Sequence, residues 1–237
     1  ISGFYALGIL ILAYYIIPKD LEYFKKEVPE DLTSIIFLTI KKWNVLLIGA
    51  TFACHSLIFL GNMQFLPYYF EKIEGYSATY SYLSTAFYCL ISFAGHLYCG
   101  ILLTNGKKPE KLIGFAFIVS ATLVALFFGV FDKIIIFEGI QILKFLAIMI
   151  VAFFMGLTPP TIFYLMSYIE PASKTTPINY GYMVQIQAIG IFAGSFLFGL
   201  LVDLTGSWTV IGYLSIFISI CGIFGGILSS RSVTIKF

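Results

Sequence analysis

Seven long apolar runs, separated by short polar joints, constrain the fold of this chain more than any other feature. A transmembrane helix needs about 20 predominantly apolar residues, and several of the runs exceed that length. Strands of a transmembrane β-barrel would instead show about 10 residues of alternating polarity, which is not the pattern here. Because a helix satisfies its own backbone hydrogen bonds in lipid, the runs predict an all-α membrane protein. The runs cover residues 1–17, 43–70, 77–103, 112–131, 139–168, 178–203 and 207–229.

The positive charges alternate between the joints. Of 14 Lys and Arg residues, eleven lie in every second joint, counted from the 18–42 joint and including the C-terminal tail. The joints between these hold only Lys72 and Lys133. The positive-inside bias therefore places the first set in the cytoplasm, which predicts that the 18–42 joint and the C-terminus are cytoplasmic. A plasma or bacterial inner membrane is the expected location. The eleven are Lys19, Lys25, Lys26, Lys41, Lys42, Lys107, Lys108, Lys111, Lys174, Arg231 and Lys236.

Composition argues against several other classes of protein. The chain is 59% hydrophobic and 11% charged, with a mean hydropathy of +0.96, whereas about a quarter of residues are charged in soluble domains. The lysines are explained by topology, and no nucleic-acid motif is present. The four cysteines lie inside apolar runs and form neither a metal-ligand pair nor a disulfide framework. We expect no metal, no cofactor and no enzymatic activity, because acidic, histidine and cysteine residues do not converge at one depth.

The joints also predict the domain organisation. Residues 1–17 read as the end of a preceding transmembrane helix, and residues 18–42 as a cytoplasmic inter-domain loop of mixed charge. Residues 43–230 form a six-helix transmembrane domain, and residues 231–237 a cytoplasmic tail. This division predicts that the chain is a fragment whose partner, an N-terminal six-helix half, is missing.

Helical periodicity predicts which faces avoid lipid. Four runs carry a polar or small-residue stripe at about 100° per residue, whereas 112–131 and 207–229 are apolar almost all round. The stripes are Thr51, His55, Asn62 and Tyr69 in 43–70; Ser81, Ser84, Thr85, Tyr88, Ser92, Gly95 and Cys99 in 77–103; Thr161, Tyr164 and Tyr168 after the break in 139–168; and Tyr180, Met183, Gln187, Gly190 and Gly194 in 178–203. Small-residue stripes also mediate close helix packing, so packing is the competing interpretation.

Three features inside the runs have alternative interpretations. His55 is either functional or a neutral histidine hydrogen-bonded at a helix interface. Lys144 lies about one and a half turns into its run, so we expect it to snorkel to the outer interface rather than pair with an acid. Pro159 and Pro160 follow Gly156 and must bend or open the helix. Broken helices often mark transporter substrate sites, although a hinge alone would also explain this pair.

Three segments resemble the C-terminal half of a major facilitator superfamily transporter. Residues 194–208, GSFLFGLLVDLTGSW, are similar to the end of that superfamily's eleventh helix. Residues 64–67, followed by Glu71 and Gly75, look like its seventh helix. Residues 100–112, GILLTNGKKPEKL, resemble its conserved inter-helix loop, although Thr104 or Asn105 replaces the acidic residue and the spacing to Gly106 is one residue short. A weaker likeness to the cyanate and nitroimidazole porter branch rests on the first two segments.

The resemblance implies half of a 12-helix fold that transports a solute by alternating access. Its seventh, eighth, tenth and eleventh helices would line the central cavity, and these correspond to the four runs with a polar stripe. A small polar or anionic solute would bind there, with His55 able to carry a coupling proton. A structural or channel-type membrane subunit is the alternative. The predicted binding residues are His55, Asn62, Tyr88, Ser92, Tyr164 and Gln187, with Pro159 and Pro160 as a hinge.

Overall fold

The structure, a computed structural model, describes residues 36–37, 39–130, 140–169 and 175–233. The chain divides into two compact units, Ile1–Leu38 and Thr39–Phe237, and the helices described below all belong to the second. The predicted helix end at 1–17, most of the 18–42 loop and the end of the tail lie outside the described residues, as do Lys133 and Lys174.

In the described residues, seven α-helices make six membrane-length spans. Two short π-helical segments, Tyr69–Ile73 and Leu126–Val130, continue α1 and α3, and the fourth span is divided into α4 and α5. The described residues include no strand, and all six spans are long and apolar enough to cross a membrane, which confirms the predicted all-α membrane protein. The helices are α1 (Trp43–Tyr68), α2 (Ala78–Thr104), α3 (Pro109–Ala125), α4 (Ile140–Met155), α5 (Thr158–Ser167), α6 (Thr176–Thr205) and α7 (Thr209–Ser232).

Helix α1 lies at the centre of the packing. It contacts α6 most extensively, and it also packs against α7, α2 and α5. Helix α3 packs mainly against α7 and α4, and α2 mainly against α4. Within this unit α2 and α6 are the least covered spans, with 22% and 17% of their central residues buried. These two helices therefore present the largest free faces of the bundle.

Glycine allows α1 and α6 to approach backbone to backbone. A Cβ added at Gly190 would run into the Ala53 carbonyl oxygen, and one at Gly194 would lie 2.5 Å from the Leu57 carbonyl oxygen. Such close approach is how helices gain dispersion contacts in lipid, where no hydrophobic force drives them together. The stripe predicted on α6 is therefore a packing surface against α1 at Gly190 and Gly194.

Candidate functional site

The break in the fourth span lies near its middle. Helix α4 ends at Met155, a turn at Gly156 and Leu157 follows, and α5 begins at Thr158 within a 28-residue span. Pro159 and Pro160 stand in the first turn of α5, where a backbone N–H would have no partner inside the helix. The span is therefore interrupted where the sequence predicts, with the prolines starting the second helix. Their action as a hinge stays a prediction.

Helix α2 packs its small residues directly on this break. A Cβ at Gly156 would collide with the Ser92 carbonyl oxygen, and one at Gly95 with the Phe153 carbonyl oxygen. Thr161 Oγ1 donates to the Leu157 carbonyl oxygen at 2.7 Å, and Cys99 Sγ lies 3.2 Å from the same oxygen. The Leu157 carbonyl, at the start of α5, therefore has two side-chain partners, one from α5 and one from α2, which link the break to the neighbouring helix.

His55 lies inside the bundle, on the side of α1 opposite the α6 contact at Ala53 and Leu57. Its ring stacks on Phe59 with centroids 5.5 Å apart, and Phe52 lies 5.9 Å away on the other side. The residue is 4% exposed, and its Nδ1 atom has no hydrogen-bond partner within the described structure. A histidine that is buried this deeply and unsatisfied is an unusual arrangement that calls for a functional explanation.

Three further predicted residues join His55 in the interior. Tyr88 of α2 stacks on Phe59 at 5.0 Å, and its hydroxyl lies 3.4 Å from the Phe59 carbonyl oxygen. Asn62, two turns from His55 on the same face, donates to the Ile58 carbonyl oxygen at 2.8 Å. Asn62 and Ser92 are both buried. The structure therefore brings Tyr88 next to His55 through Phe59, and it leaves Asn62 nearer the C-terminal end of α1.

Tyr164 and Gln187 occupy a different place. Both are half-buried, Tyr164 on α5 and Gln187 on α6. The Phe163 ring stacks on Tyr180 of α6 with centroids 5.9 Å apart, and Gln187 is seven residues from Tyr180, on the same side of α6. The predicted set therefore divides into four buried residues on α1 and α2 and two half-buried residues, one on α5 and one on α6.

Several buried polar atoms near the break lack a hydrogen-bond partner among the described residues. Besides His55 Nδ1, they are Asn62 Oδ1, Ser92 Oγ and Thr158 Oγ1. Thr158 begins α5, and Ser92 contacts Gly156 through its backbone. Buried polar groups are nearly always paired with protein or ordered water. The interior beside the break therefore holds hydrogen-bonding capacity that helix packing alone does not use, and Thr158 escaped the sequence-based prediction.

The expectation for Lys144 is wrong. Its side chain does not snorkel but lies buried, 5% exposed, with Nζ 2.5 Å from Oε1 of Glu74. The sequence held a usable signal, because Lys144 is the one basic residue inside a run, and Glu74 lies in a joint on the same predicted side of the membrane as the joint that precedes the Lys144 run. Pairing satisfies a buried cation at less cost than leaving it in lipid. The pair joins the C-terminal end of the first span to the N-terminal end of the fourth, through residues that are 70 positions apart in sequence.

Comparison with known families and curated proteins does not assign this chain to a family. No protein-family model matches it, and no curated protein matches it significantly. Across the described ranges, no three His, Cys, Asp or Glu residues lie close enough together to hold a metal ion, and the four cysteines are free. The likeness to major facilitator carriers accordingly stays a prediction from the residues quoted above.

Proposed function

We propose that this chain is one six-helix half of a secondary carrier that moves a small polar or anionic solute across a membrane by alternating access. One observation carries the proposal: a membrane span is interrupted midway, and polar atoms on the neighbouring helices lack partners in the described structure. Discontinuous helices beside unpaired polar groups are typical of transporter substrate sites. A channel or a structural subunit is the competing function.

The solute contacts Tyr164 and Gln187 first, because these two side chains are half-buried rather than enclosed. The stacked rings of Phe163 and Tyr180 join α5 to α6 and supply apolar surface on the same two helices. The interior group, centred on His55, lies behind this layer and becomes accessible when α5 moves relative to α2. Pro159 and Pro160 permit that motion, since their missing N–H groups leave the start of α5 without a full set of hydrogen bonds to α4.

A matched pair of glutamines on α6 tests the solute site. The complete protein is reconstituted in vesicles and screened for uptake of radiolabelled small organic anions and polar neutral solutes. Gln187→Leu removes the half-buried amide, whereas Gln185→Leu removes an exposed amide on another side of α6. Loss of one hydrogen bond, worth about 1 kcal/mol, predicts roughly five- to tenfold weaker uptake at low solute concentration for Gln187→Leu alone.

Two results would overturn the carrier proposal. One is that no tested solute is taken up faster by vesicles with the protein than by vesicles without it. The other is uptake without acceleration by unlabelled solute on the opposite side of the membrane, because a carrier shows this exchange and a channel does not. Equal effects of the two glutamine substitutions would leave a carrier but move its site elsewhere.

His55 is the proposed carrier of a coupling proton, since imidazole is the side chain whose charge changes between about pH 5 and 8. His96 of α2 is the control, because its Nδ1 atom already lies 2.6 Å from the Ser92 carbonyl oxygen. We expect His55→Gln to abolish the pH dependence of uptake and His96→Gln to retain it. Unchanged pH dependence in His55→Gln eliminates the role.

A further inference from the structure

An open cavity lies between the start of α2 and the start of α4, at the end of the bundle that the charge pattern predicts to face outward. Its volume is about 420 Å³, which is within the range of small-molecule sites. One wall comes from the joint before α2 and the first turn of that helix, and the other from the first two turns of α4. The lining residues are Tyr76, Ser77, Tyr80, Gln141, Ile142 and Phe145.

Three aromatic rings of this lining are tilted relative to one another. The ring centroids of Tyr76 and Tyr80 are 4.6 Å apart, and their planes are inclined by 40°. The Phe145 centroid lies 6.3 Å from that of Tyr80, and these two planes are inclined by 47°. A flat ligand that stacks on Tyr80 therefore lies oblique to the other two rings, whereas a rounded group can contact all three.

Two contacts behind the cavity hold the rings in place. Phe70 of the first span is 1% exposed, and its ring centroid lies 5.7 Å from that of Tyr76 and 6.2 Å from that of Tyr80. Ser77 caps α2, because its hydroxyl oxygen accepts a hydrogen bond from the Tyr80 backbone amide at 3.3 Å. The aromatic wall is thus formed before a ligand arrives, which lowers the entropy cost of binding.

None of the six described lining residues carries a charge. Lys144 precedes Phe145 in sequence, but it lies outside this lining, and its Nζ is 2.5 Å from Oε1 of Glu74. A ligand in the cavity is therefore not held by an ion pair. Aromatic rings attract a cation without one, because the ring quadrupole places negative charge on each face.

A quaternary ammonium group suits this lining better than other cations. A primary ammonium group has three N–H donors, which would lose their hydrogen bonds to water on entering an aromatic cavity. A trimethylammonium group has no N–H donor, so its methyl groups can contact the rings without that loss. Because it is also rounded, it can contact tilted rings on several sides.

We propose that this cavity binds a quaternary ammonium group, the chemistry that choline shares with the headgroup of phosphatidylcholine. The N-methyl groups lie against the rings of Tyr76, Tyr80 and Phe145. An oxygen atom of the ligand accepts a hydrogen bond from the Gln141 amide or the Ser77 hydroxyl, which belong to the same lining. The aromatic rings supply affinity for the cation, and the two polar groups orient it.

Three probes of similar size separate charge from shape. Binding of choline to the complete protein, purified in a maltoside detergent, is measured by calorimetry or by a radioligand assay. The first comparison is the uncharged isostere of choline, in which a tert-butyl group replaces the trimethylammonium group, and the second is ethanolamine. We expect choline to bind at least about fivefold more tightly than either. The measurement requires no transport, so failure here and failure of the proposed carrier function are separate results.

Matched variants of α2 locate the binding. Tyr80→Leu replaces a ring of the cavity by an apolar side chain, and we expect it to weaken choline binding about three- to tenfold. Tyr80→Phe keeps the ring and should bind within about twofold of the wild type. Tyr82→Leu is the control, because Tyr82 is 64% exposed on the same helix and lies outside the described lining. Thermal unfolding confirms that the three variants are folded.

The polar side of the cavity has its own test. We expect Gln141→Leu to weaken choline binding about three- to fivefold through the loss of a hydrogen bond. The same variant should bind tetramethylammonium like the wild type, because this probe has no oxygen atom. An equal loss for both probes would overturn the orienting role of Gln141.

The membrane composition distinguishes the two sources of the ligand. Choline binding is compared in bilayers that contain phosphatidylcholine and in bilayers of the same net charge that contain phosphatidylethanolamine instead. Weaker choline binding in the first bilayer would show that the lipid headgroup occupies the cavity. Equal binding in both would identify the free solute as the ligand, and either result supports a quaternary ammonium site.

Three results would overturn the proposal. The first is no choline binding up to millimolar concentration, in which case the tyrosines serve only as interfacial anchors of α2. The second is equal binding of choline and its uncharged isostere, since shape alone would then determine affinity. The third is an equal effect of Tyr80→Leu and Tyr82→Leu, which would place the binding outside the cavity.

Discussion

Replacing Gly190 by alanine tests the closest helix contact in the bundle. The added Cβ would lie 2.6 Å from the Ala53 Cα and 2.7 Å from its carbonyl carbon, whereas ordinary contacts are 3.4–4 Å. The Ala53 carbonyl oxygen would lie closer still, so α1 and α6 must separate locally by about 1 Å. A gap of this size forfeits up to about half of the dispersion attraction at each affected atom pair. The obstacle is backbone, which cannot move aside as a flexible side chain can.

Gly181 on the same helix supplies the control. A Cβ there would meet no atom of the described structure within 4 Å. Alanine improves helix propensity at both sites by up to about 1 kcal/mol, so the difference between the variants isolates the collision. Overpacking of this kind costs about 1–3 kcal/mol. We expect Gly190→Ala to be less stable than Gly181→Ala by that amount.

The measurement is unfolding of the purified protein by SDS in mixed micelles, followed by tryptophan fluorescence or circular dichroism. Adding Ala53→Gly to Gly190→Ala should not restore stability, because the colliding atoms of residue 53 are backbone atoms. Equal unfolding midpoints for Gly190→Ala and Gly181→Ala would refute the close approach of α1 and α6. Full rescue by Ala53→Gly would show that a side chain, and not the backbone, sets the distance.

Two further predictions concern charge and orientation. Lys144→Met leaves Glu74 buried without its cation and should lower the free energy of unfolding by about 3–5 kcal/mol. Lys72→Met, at an exposed pair, should leave the free energy of unfolding unchanged in the same SDS titration. Equal effects of the two substitutions would contradict the burial of the Lys144–Glu74 pair. The orientation is tested in a chain whose four native cysteines are replaced by serine. A membrane-impermeant maleimide should label Ser77→Cys from outside and Asn105→Cys only from the cytoplasmic side. The reverse labelling pattern would show that the predicted orientation is inverted.

The positions of the spans were predictable from sequence, and their ends agree with the structure closely. The run 77–103 becomes Ala78–Thr104, and the run 207–229 becomes Thr209–Ser232. Hydrophobic length is a local property, so each span can be recognised without knowing its neighbours. The break at Gly156 was also visible, because glycine and proline act on the backbone of their own segment.

The buried sides of α1 and α2 were predictable as well. Thr51, His55, Asn62 and Tyr69 are all buried, and Gln64 on the opposite side is exposed. On α2 the stripe from Ser81 to Cys99 is the buried face, with only Thr85 half-buried. Periodicity assigns a face because side chains about 100° apart repeat along a helix. It does not reveal what the face meets, and here the α2 stripe meets the backbone of α4.

The sequence by itself determined the class of protein, the six spans and the side of α1 and α2 that avoids lipid. Each of these depends on residues within a single helix. Only the tertiary structure decided which helices those faces touch and how the predicted polar residues divide. It placed His55 in the interior and left Gln187 half-buried on α6. It also paired Lys144 with Glu74, since an ion pair between residues 70 positions apart depends on how two helices are brought together.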